Sequence, residues 1–420
     1  MYYQRYIETT IERLLKSSGA ILVSGPKFCG KTTTCMRFQK SFVKLNNSQM
    51  ISLARLDPEG VLAGDKPRLI DEWQKAPEVW NSIKAQLDDD YQFGQYILTG
   101  SSTPVNKKQV HHSGAGRIAP VAMRTMSLYE SGDSTGAISL GELLGGAMVS
   151  TVIEPAHSLD EISFLLCRGG WPISILADKQ VALDVTQNYY DGLFVFEDYE
   201  NEQFRGKNPL LFRMILRSYA RNISTEASIK TIMDDVRQFD ERSLDRKTFD
   251  SYLEALRDIF IIEDMEAWSP NIRSKTSIRS TPTRHFVDPS LACCALGIGP
   301  QDLMADPSTF GLFFEDLAVR DLRVYSEVTR GEVLHYRDNT GLECDAIIRW
   351  PNGTCAAVEI KLGGEEAIEA GASSLKRLAA KIDNKSSEAG FAFMMVLTAT
   401  GPAYTRDDGV LVVPLDRLRA

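Results

Sequence analysis

The sequence predicts an α/β protein founded on a parallel sheet with a phosphate-binding loop, and three observations carry that reading. Gly25-Pro26-Lys27-Phe28-Cys29-Gly30-Lys31-Thr32 satisfies G-x-x-x-x-G-K-[ST] at every fixed position, between the apolar run Ala20–Val23 and a helical segment starting near Lys31. Pro67–Glu72 follows as a short apolar strand ending in two carboxylates, and Gln95–Gly100 as a third strand with a polar end. Strands that turn polar at their carboxyl ends are expected where a parallel sheet holds its ligand.

In such a loop, backbone N–H groups and the positive end of the following helix hold phosphate oxygens. Residues Gly25 to Thr32, with Thr33 beside them, are therefore the expected nucleotide-binding residues, and ATP with Mg²⁺ the expected ligands. Lys31 would reach the β- and γ-phosphates, and the Thr32 hydroxyl would ligate Mg²⁺. Asp71 would hold the metal directly or through water, and Glu72 would orient or deprotonate the attacking water. Thr99, at the polar end of the third strand, is the expected sensor of the γ-phosphate; a plain Gly-Ser turn is the competing reading. Arg117, flanked by glycines in His111-His112-Ser113-Gly114-Ala115-Gly116-Arg117, suits an arginine finger, which acting in trans requires at least a dimer. The competing reading is a solvated loop arginine. His111 and His112 are adjacent and point different ways, so they are not read as a metal pair.

Bulk properties bound the rest. The 420 residues predict two or three domains, and a net charge of −9 excludes a general polyanion binder, leaving any nucleic-acid contact to a local basic patch. Seven scattered cysteines without a C-x-x-C pair argue against a zinc site or a disulfide framework and for a reducing, cytoplasmic setting. No apolar run is long enough for a membrane span, so no membrane association is expected.

Leu69–Pro77, Ile97–Ser102, Ser113–Arg117 and Met123–Glu130 together resemble a prokaryotic family, the AAA-type ATP-binding proteins with a C-terminal domain of unknown function. The similarity runs over the whole chain. It implies an AAA+ ATPase module joined to a winged helix and a restriction-endonuclease-like domain, and it implies little about biological role. The expected segments are an ATPase core over 1–145, a helical lid or linker over 146–204, a winged-helix-like segment over 205–295 and a nuclease-like domain over 296–420.

Within the lid, Ser158–Glu161 has capping-box spacing ahead of an apolar stretch that ends at Arg168-Gly169-Gly170-Trp171-Pro172. Arg168 stands where a lid arginine contacts the γ-phosphate in AAA+ proteins; an arginine complementing the helix dipole is the commoner explanation. Phe249, Tyr252, Leu253 and Leu256 form one apolar helical stripe, with Arg246, Lys247 and Thr248 at the helix start. Ile259–Ile262 reads as the following strand, and Arg273, Lys275, Arg279 and Arg284 as a basic wing. The basic segment 246–284 is thus the candidate DNA contact. Residues 205–285 hold only slightly more basic than acidic side chains, so a protein-packing role competes with it.

Near the C-terminus, Leu342–Trp350 and Thr354–Lys361 are β-rich runs around Pro351-Asn352-Gly353. A hairpin symmetric about Asn352 places Asp345 opposite Glu359, a repulsive pair unless a cation or Lys361 lies between them. Asp followed by Glu-x-Lys on such a hairpin matches the metal site of restriction-endonuclease-like nucleases, with Glu315 as the helix-borne acid. Asp345 and Glu359 are then candidate Mg²⁺ ligands; a surface salt-bridge cluster is the competing reading.

The sequence therefore points to an ATPase whose nucleotide cycle controls its appended domains. Two alternatives stand: a nucleotide-gated switch that binds DNA or protein with little turnover, and an ATP-regulated metal-dependent nuclease.

Overall fold

The computed structural model describes residues 2–101, 114–195, 206–238, 245–270, 281–383 and 390–420. Ser102, His111, His112, Ser113 and the wing residues Arg273, Lys275 and Arg279 lie outside them.

The first sheet holds β1 (Ala20–Ser24), β2 (Ser41–Lys44), β3 (Arg68–Asp71), β4 (Tyr96–Gly100) and β5 (Ile118–Ala122), in the order β2-β3-β4-β1-β5. Every pairing is parallel. Covered on both faces, its inner strands are nearly continuous apolar runs, as parallel sheets require. One face carries Val43, Ile70, Leu98 and the stacked pair Trp73 and Trp80; the other carries Ile21, Val23, Leu69, Ile97 and the Ile7–Leu15 helix. The register sets Val23 and Asp71 beside Thr99, so three strand ends meet beneath the loop that leaves β1.

From Leu128 onward one hydrophobic core reaches as far as Leu418. The chain end joins it directly: β13 (Leu418–Arg419) pairs in parallel with β6 (Ile138–Ser139). Nearby, the Asp416 carboxylate accepts from the backbone N–H of Ala156 and His157 at 2.7 and 2.6 Å. Three helices, Pro209–Arg221, Ile229–Arg237 and Arg246–Asp258, follow in the middle segment. The Phe249, Tyr252, Leu253 and Leu256 stripe is buried, while Arg246 and Lys247 are exposed. The strand expected over Ile259–Ile262 does not form. Ile259 caps the preceding helix and Phe260 has φ 59°, which breaks an extended run. Among the described residues of this segment two antiparallel bridges form, Ile262 with Phe286 and Met265 with Thr283.

The second sheet is mixed: β7 (Glu332–Arg337), β8 (Glu343–Arg349), β9 (Cys355–Lys361), β10 (Met394–Thr398), β11 (Tyr404–Thr405) and β12 (Leu411–Pro414), ordered β11-β12-β10-β9-β8-β7. The Glu365–Asp383 helix covers one face through Ile368, Ala372, Leu375 and Leu378; the Pro307–Val328 helix covers the other through residues such as Phe314 and Ala318. β8 and β9 pair Ala346 with Val358 and Ile348 with Ala356, a register symmetric about Asn352 as the turn predicts. Among the described residues no helix is long and apolar enough to cross a membrane.

Candidate functional site

The loop Gly25–Gly30 joins β1 to the Lys31–Cys35 helix. Gly25 is required because a Cβ there would lie 2.1 Å from the Met123 carbonyl oxygen. Gly30 caps the helix at φ 103°, a conformation that L side chains rarely adopt. Lys31 is buried, and its ammonium donates to the carbonyls of Gly25 and Pro26 at 2.9 and 2.7 Å. Phe28, at φ 63°, is 70% exposed and meets Tyr189 edge-on at 6.2 Å between ring centroids.

Beneath the loop, Asp71 is buried at the end of β3. Its Oδ1 accepts from the Thr32 hydroxyl at 2.7 Å and from the Thr99 hydroxyl at 2.5 Å, while Lys44 Nζ lies 4.0 Å from Oδ2. Glu72 follows in the left-handed region at φ 62°, held there by its N–H donating to the Thr99 carbonyl at 3.0 Å. Gln74 donates to the Glu72 carboxylate at 2.7 Å. A non-glycine residue in that conformation costs on the order of 1 kcal/mol and persists where its surroundings enforce it. A hydroxyl and a carboxylate in contact at the end of a phosphate-loop sheet are oxygen donors of the kind that would hold Mg²⁺.

Thus Lys31, Thr32, Asp71, Glu72 and Thr99 gather at one end of the sheet. The two arginines are engaged elsewhere. Arg117 pairs with Asp88. Arg168 is buried and pairs with Asp133 at 2.6 Å, so its guanidinium serves an ion pair between the end of the Leu159–Arg168 helix and the segment after the first sheet.

Three participants escaped sequence reasoning. Lys44 and Gln74 gave no signal, since a strand-end lysine and a turn glutamine are ordinary. Arg5 is the third: 5% exposed, it donates to the Cys29 carbonyl at 2.8 Å and the Arg124 carbonyl at 2.9 Å. Arg124 in turn pairs with Glu263 at 2.5 Å. Burial alone would raise the Glu263 carboxyl; Arg124 and Arg323 outweigh it and hold it at about 2.

In the second sheet, continuing the β8–β9 register by one step sets Asp345 against Glu359. Lys361 Nζ lies between them, 3.0 Å from Asp345 Oδ2 and 2.8 Å from Glu359 Oε2. Asp345 also accepts from the Ile360 N–H at 2.7 Å. Burial and then Asp345 raise Glu359 to about 7, against the pull of Lys361. Burial and then Asp345 also raise Glu315 well above the carboxylate range. Burial opposes the Lys361 charge, yet the two carboxylates raise its affinity for a proton. Among the described residues, no three His, Cys, Asp or Glu side chains converge into a group that could hold a metal ion.

Comparison with known proteins bears on the segment that carries the first site. A family model described as an AAA domain matches residues 17–131; two domains of unknown function, DUF8612 and DUF4143, match residues 159–302 and 310–418. An uncharacterized protein of Mycobacterium tuberculosis, and its counterpart in Mycobacterium bovis, are 22% identical over 320 residues, 74% of this chain. The chain spans 64% of the length of these curated relatives. Among solved structures, a Walker-type ATPase of Pyrococcus abyssi aligns with a TM-score of 0.43 and 14% identity, over 70% of this chain and 96% of that one. A signal-transduction ATPase with a tetratricopeptide-repeat sensor from Pyrococcus horikoshii aligns at 0.26 and 12%, over 78% and 52%. With its loop, sheet order and family match, the N-terminal segment is a P-loop NTPase domain of the AAA type.

Proposed function

We propose that this chain is a Mg²⁺-dependent ATPase whose nucleotide cycle acts on the segments that follow the AAA domain. The observation that carries the reading is the convergence of Thr32 and Thr99 on Asp71 Oδ1 directly below the loop. Thr32 and Asp71 would hold Mg²⁺, which would supply positive charge to neutralise the phosphates. Lys31 would exchange the carbonyls of Gly25 and Pro26 for the β- and γ-phosphates. Thr99 would accept the γ-phosphate contact, and Glu72, released from Gln74, would orient water. Arg117 would complete a neighbouring subunit's site in a homo-oligomer once it leaves Asp88. For Arg168 a lid contact to the γ-phosphate would require breaking the Asp133 pair, so we leave it as a structural arginine. The test is steady-state ATP hydrolysis with Mg²⁺, with and without duplex DNA, using Lys31→Ala as control. Turnover that survives Lys31→Ala would sink the reading. Nucleotide binding without turnover would favour the switch alternative.

A second reading is favoured by the Glu315, Asp345, Glu359 and Lys361 cluster: a restriction-endonuclease-like site that ATP regulates. Lys361 now lies between the two carboxylates that would bind Mg²⁺, so a metal would have to displace it. The three helices and the bridged segment after them support a winged-helix reading, with exposed Arg246 and Lys247 as the candidate DNA contacts; a protein partner is the competing reading. DNA nicking that persists in Asp345→Ala and Glu359→Ala would exclude this site as its source.

A further inference from the structure

We infer that Arg5 is a positioning residue for the phosphate loop, fixing the Cys29–Gly30 peptide so that the Gly30 N–H is presented to the phosphates. The inference rests on the nucleotide-binding reading above and adds a residue outside the motif.

The geometry runs through one guanidinium. Arg5 Nη1 donates to the Cys29 carbonyl at 2.8 Å and Nη2 to the Arg124 carbonyl at 2.9 Å, while Nε lies 3.2 Å from Glu130 Oε1. Glu130 is itself fixed, accepting from the Tyr6 N–H at 2.7 Å and from the Ser127 N–H at 3.0 Å. The planar fork therefore bridges the loop and the exit of β5, while at its third edge the Glu130 carboxylate balances the charge as an ion pair without a hydrogen bond.

In a trans peptide the C=O and the next N–H point in opposite directions. With its carbonyl gripped by Arg5, the Cys29–Gly30 unit turns the Gly30 N–H away from Arg5. Among the described residues that N–H donates to no acceptor. An outward-turned amide in a phosphate-binding loop is a ready phosphate donor. The opposite flip of the same peptide would aim a carbonyl oxygen at the phosphates. Arg5 opposes that flip with a charged hydrogen bond formed in a buried setting, where such bonds are strong. Gly30 is needed for its φ of 103° rather than for space, since a Cβ there would make only ordinary contacts, 3.5 Å from Arg5 Nη1 and 3.6 Å from the Met123 methyl.

A lysine has no fork and cannot hold both carbonyls at once. In the full chain, Arg5→Lys should raise the Kd for Mg–ATP and for inorganic tripolyphosphate by the same factor, about tenfold, the loss of one charge-assisted hydrogen bond. Turnover at saturating ATP should change less than KM, and the thermal midpoint should stay above the assay temperature. Should Arg5→Lys not fold, Arg5→Gln with the same readouts takes its place. Affinities within twofold of wild type for both ligands would overturn the inference. So would weakened ATP binding with unchanged tripolyphosphate binding, because the effect would then lie on the nucleoside. A wild-type chain that binds neither ligand would instead refute the nucleotide reading itself, and Lys31→Ala gives the baseline for that outcome.

Discussion

Thr32 and Asp71 are joined by a 2.7 Å hydrogen bond although 39 residues separate them. One stands at the first turn of the loop helix and the other ends β3. The bond brings together the two oxygens that would share Mg²⁺, and Thr99 contacts the same carboxylate oxygen.

That contact predicts a metal-specific defect. Asp71→Asn keeps the size and much of the hydrogen bonding but removes the charge that attracts the cation. Nucleotide affinity with Mg²⁺ should fall about tenfold or more, a loss of at least ~1.4 kcal/mol. Affinity in EDTA should be nearly unchanged. Titration with a fluorescent ATP analogue under both conditions measures the difference, and equal losses with and without Mg²⁺ would remove Asp71 from the metal site.

Glu72 is held in the left-handed region by its N–H bond to the Thr99 carbonyl, with its carboxylate on Gln74. Glu72→Gln preserves the shape and removes the base. Turnover should fall about 10²- to 10⁴-fold, the range of one positioned general base, while nucleotide affinity stays near wild type. Single-turnover hydrolysis alongside equilibrium binding separates the two quantities. Hydrolysis at the wild-type rate would assign water activation to another group.

The parts that were legible in the sequence depended on local pattern. The loop follows from fixed glycine and lysine spacing, and Asn352-Gly353 set the hairpin centre that pairs Ala346 with Val358. The strand expected at Ile259–Ile262 failed because an apolar run does not reveal the positive φ of Phe260. Arg5, and the partner that engages Arg168, were hidden for a different reason. The groups engaged are the Cys29 and Arg124 carbonyls and the Asp133 carboxylate, and contacts of that kind leave no periodic trace.

Arg124, two residues past β5, pairs with Glu263 in the segment after the Arg246–Asp258 helix, and Arg323 approaches the same carboxylate at 3.6 Å. Glu263 is held at about 2, below its unfolded value, so its contribution to stability is present above about pH 4.5 and is lost as the pH falls toward 2. Glu263→Gln should therefore be less stable than wild type at pH 7, with the gap closing between about pH 4.5 and 2. Urea unfolding across that range measures it. Because Arg5 holds the Arg124 backbone, Glu263→Gln should also change hydrogen exchange in the Met123–Glu130 segment. A gap that does not depend on pH would assign the loss to packing rather than to the ion pair.

Glu359 behaves in the opposite sense. Burial and Asp345 lift it to about 7, so the folded chain binds a proton there more tightly than the unfolded chain does. Its protonated form favours the fold fully below about pH 4.5, and that advantage is lost as the pH rises through 7. Glu359→Gln mimics the protonated side chain and does not titrate. Relative to wild type, the variant should gain stability from about pH 5 to 8, by about 2 to 3 kcal/mol, since each pH unit between the ordinary carboxylate value and 7 contributes ~1.4 kcal/mol. Lys361 stays charged across this window, so it does not change the sign of the slope. A divalent cation acts on the same balance, since it competes with the proton on Glu359 and with the ammonium of Lys361. If the cluster binds Mg²⁺, added Mg²⁺ should stabilise wild type at pH 8 more than at pH 5.5 and should leave Glu359→Gln nearly unaffected. Differential scanning calorimetry of both chains, without nucleotide and with the loop site disabled by Lys31→Ala, isolates the effect. A pH-dependent gap without any Mg²⁺ response would identify the cluster as a lysine-neutralised ion-pair network, and the nuclease reading would lose its metal.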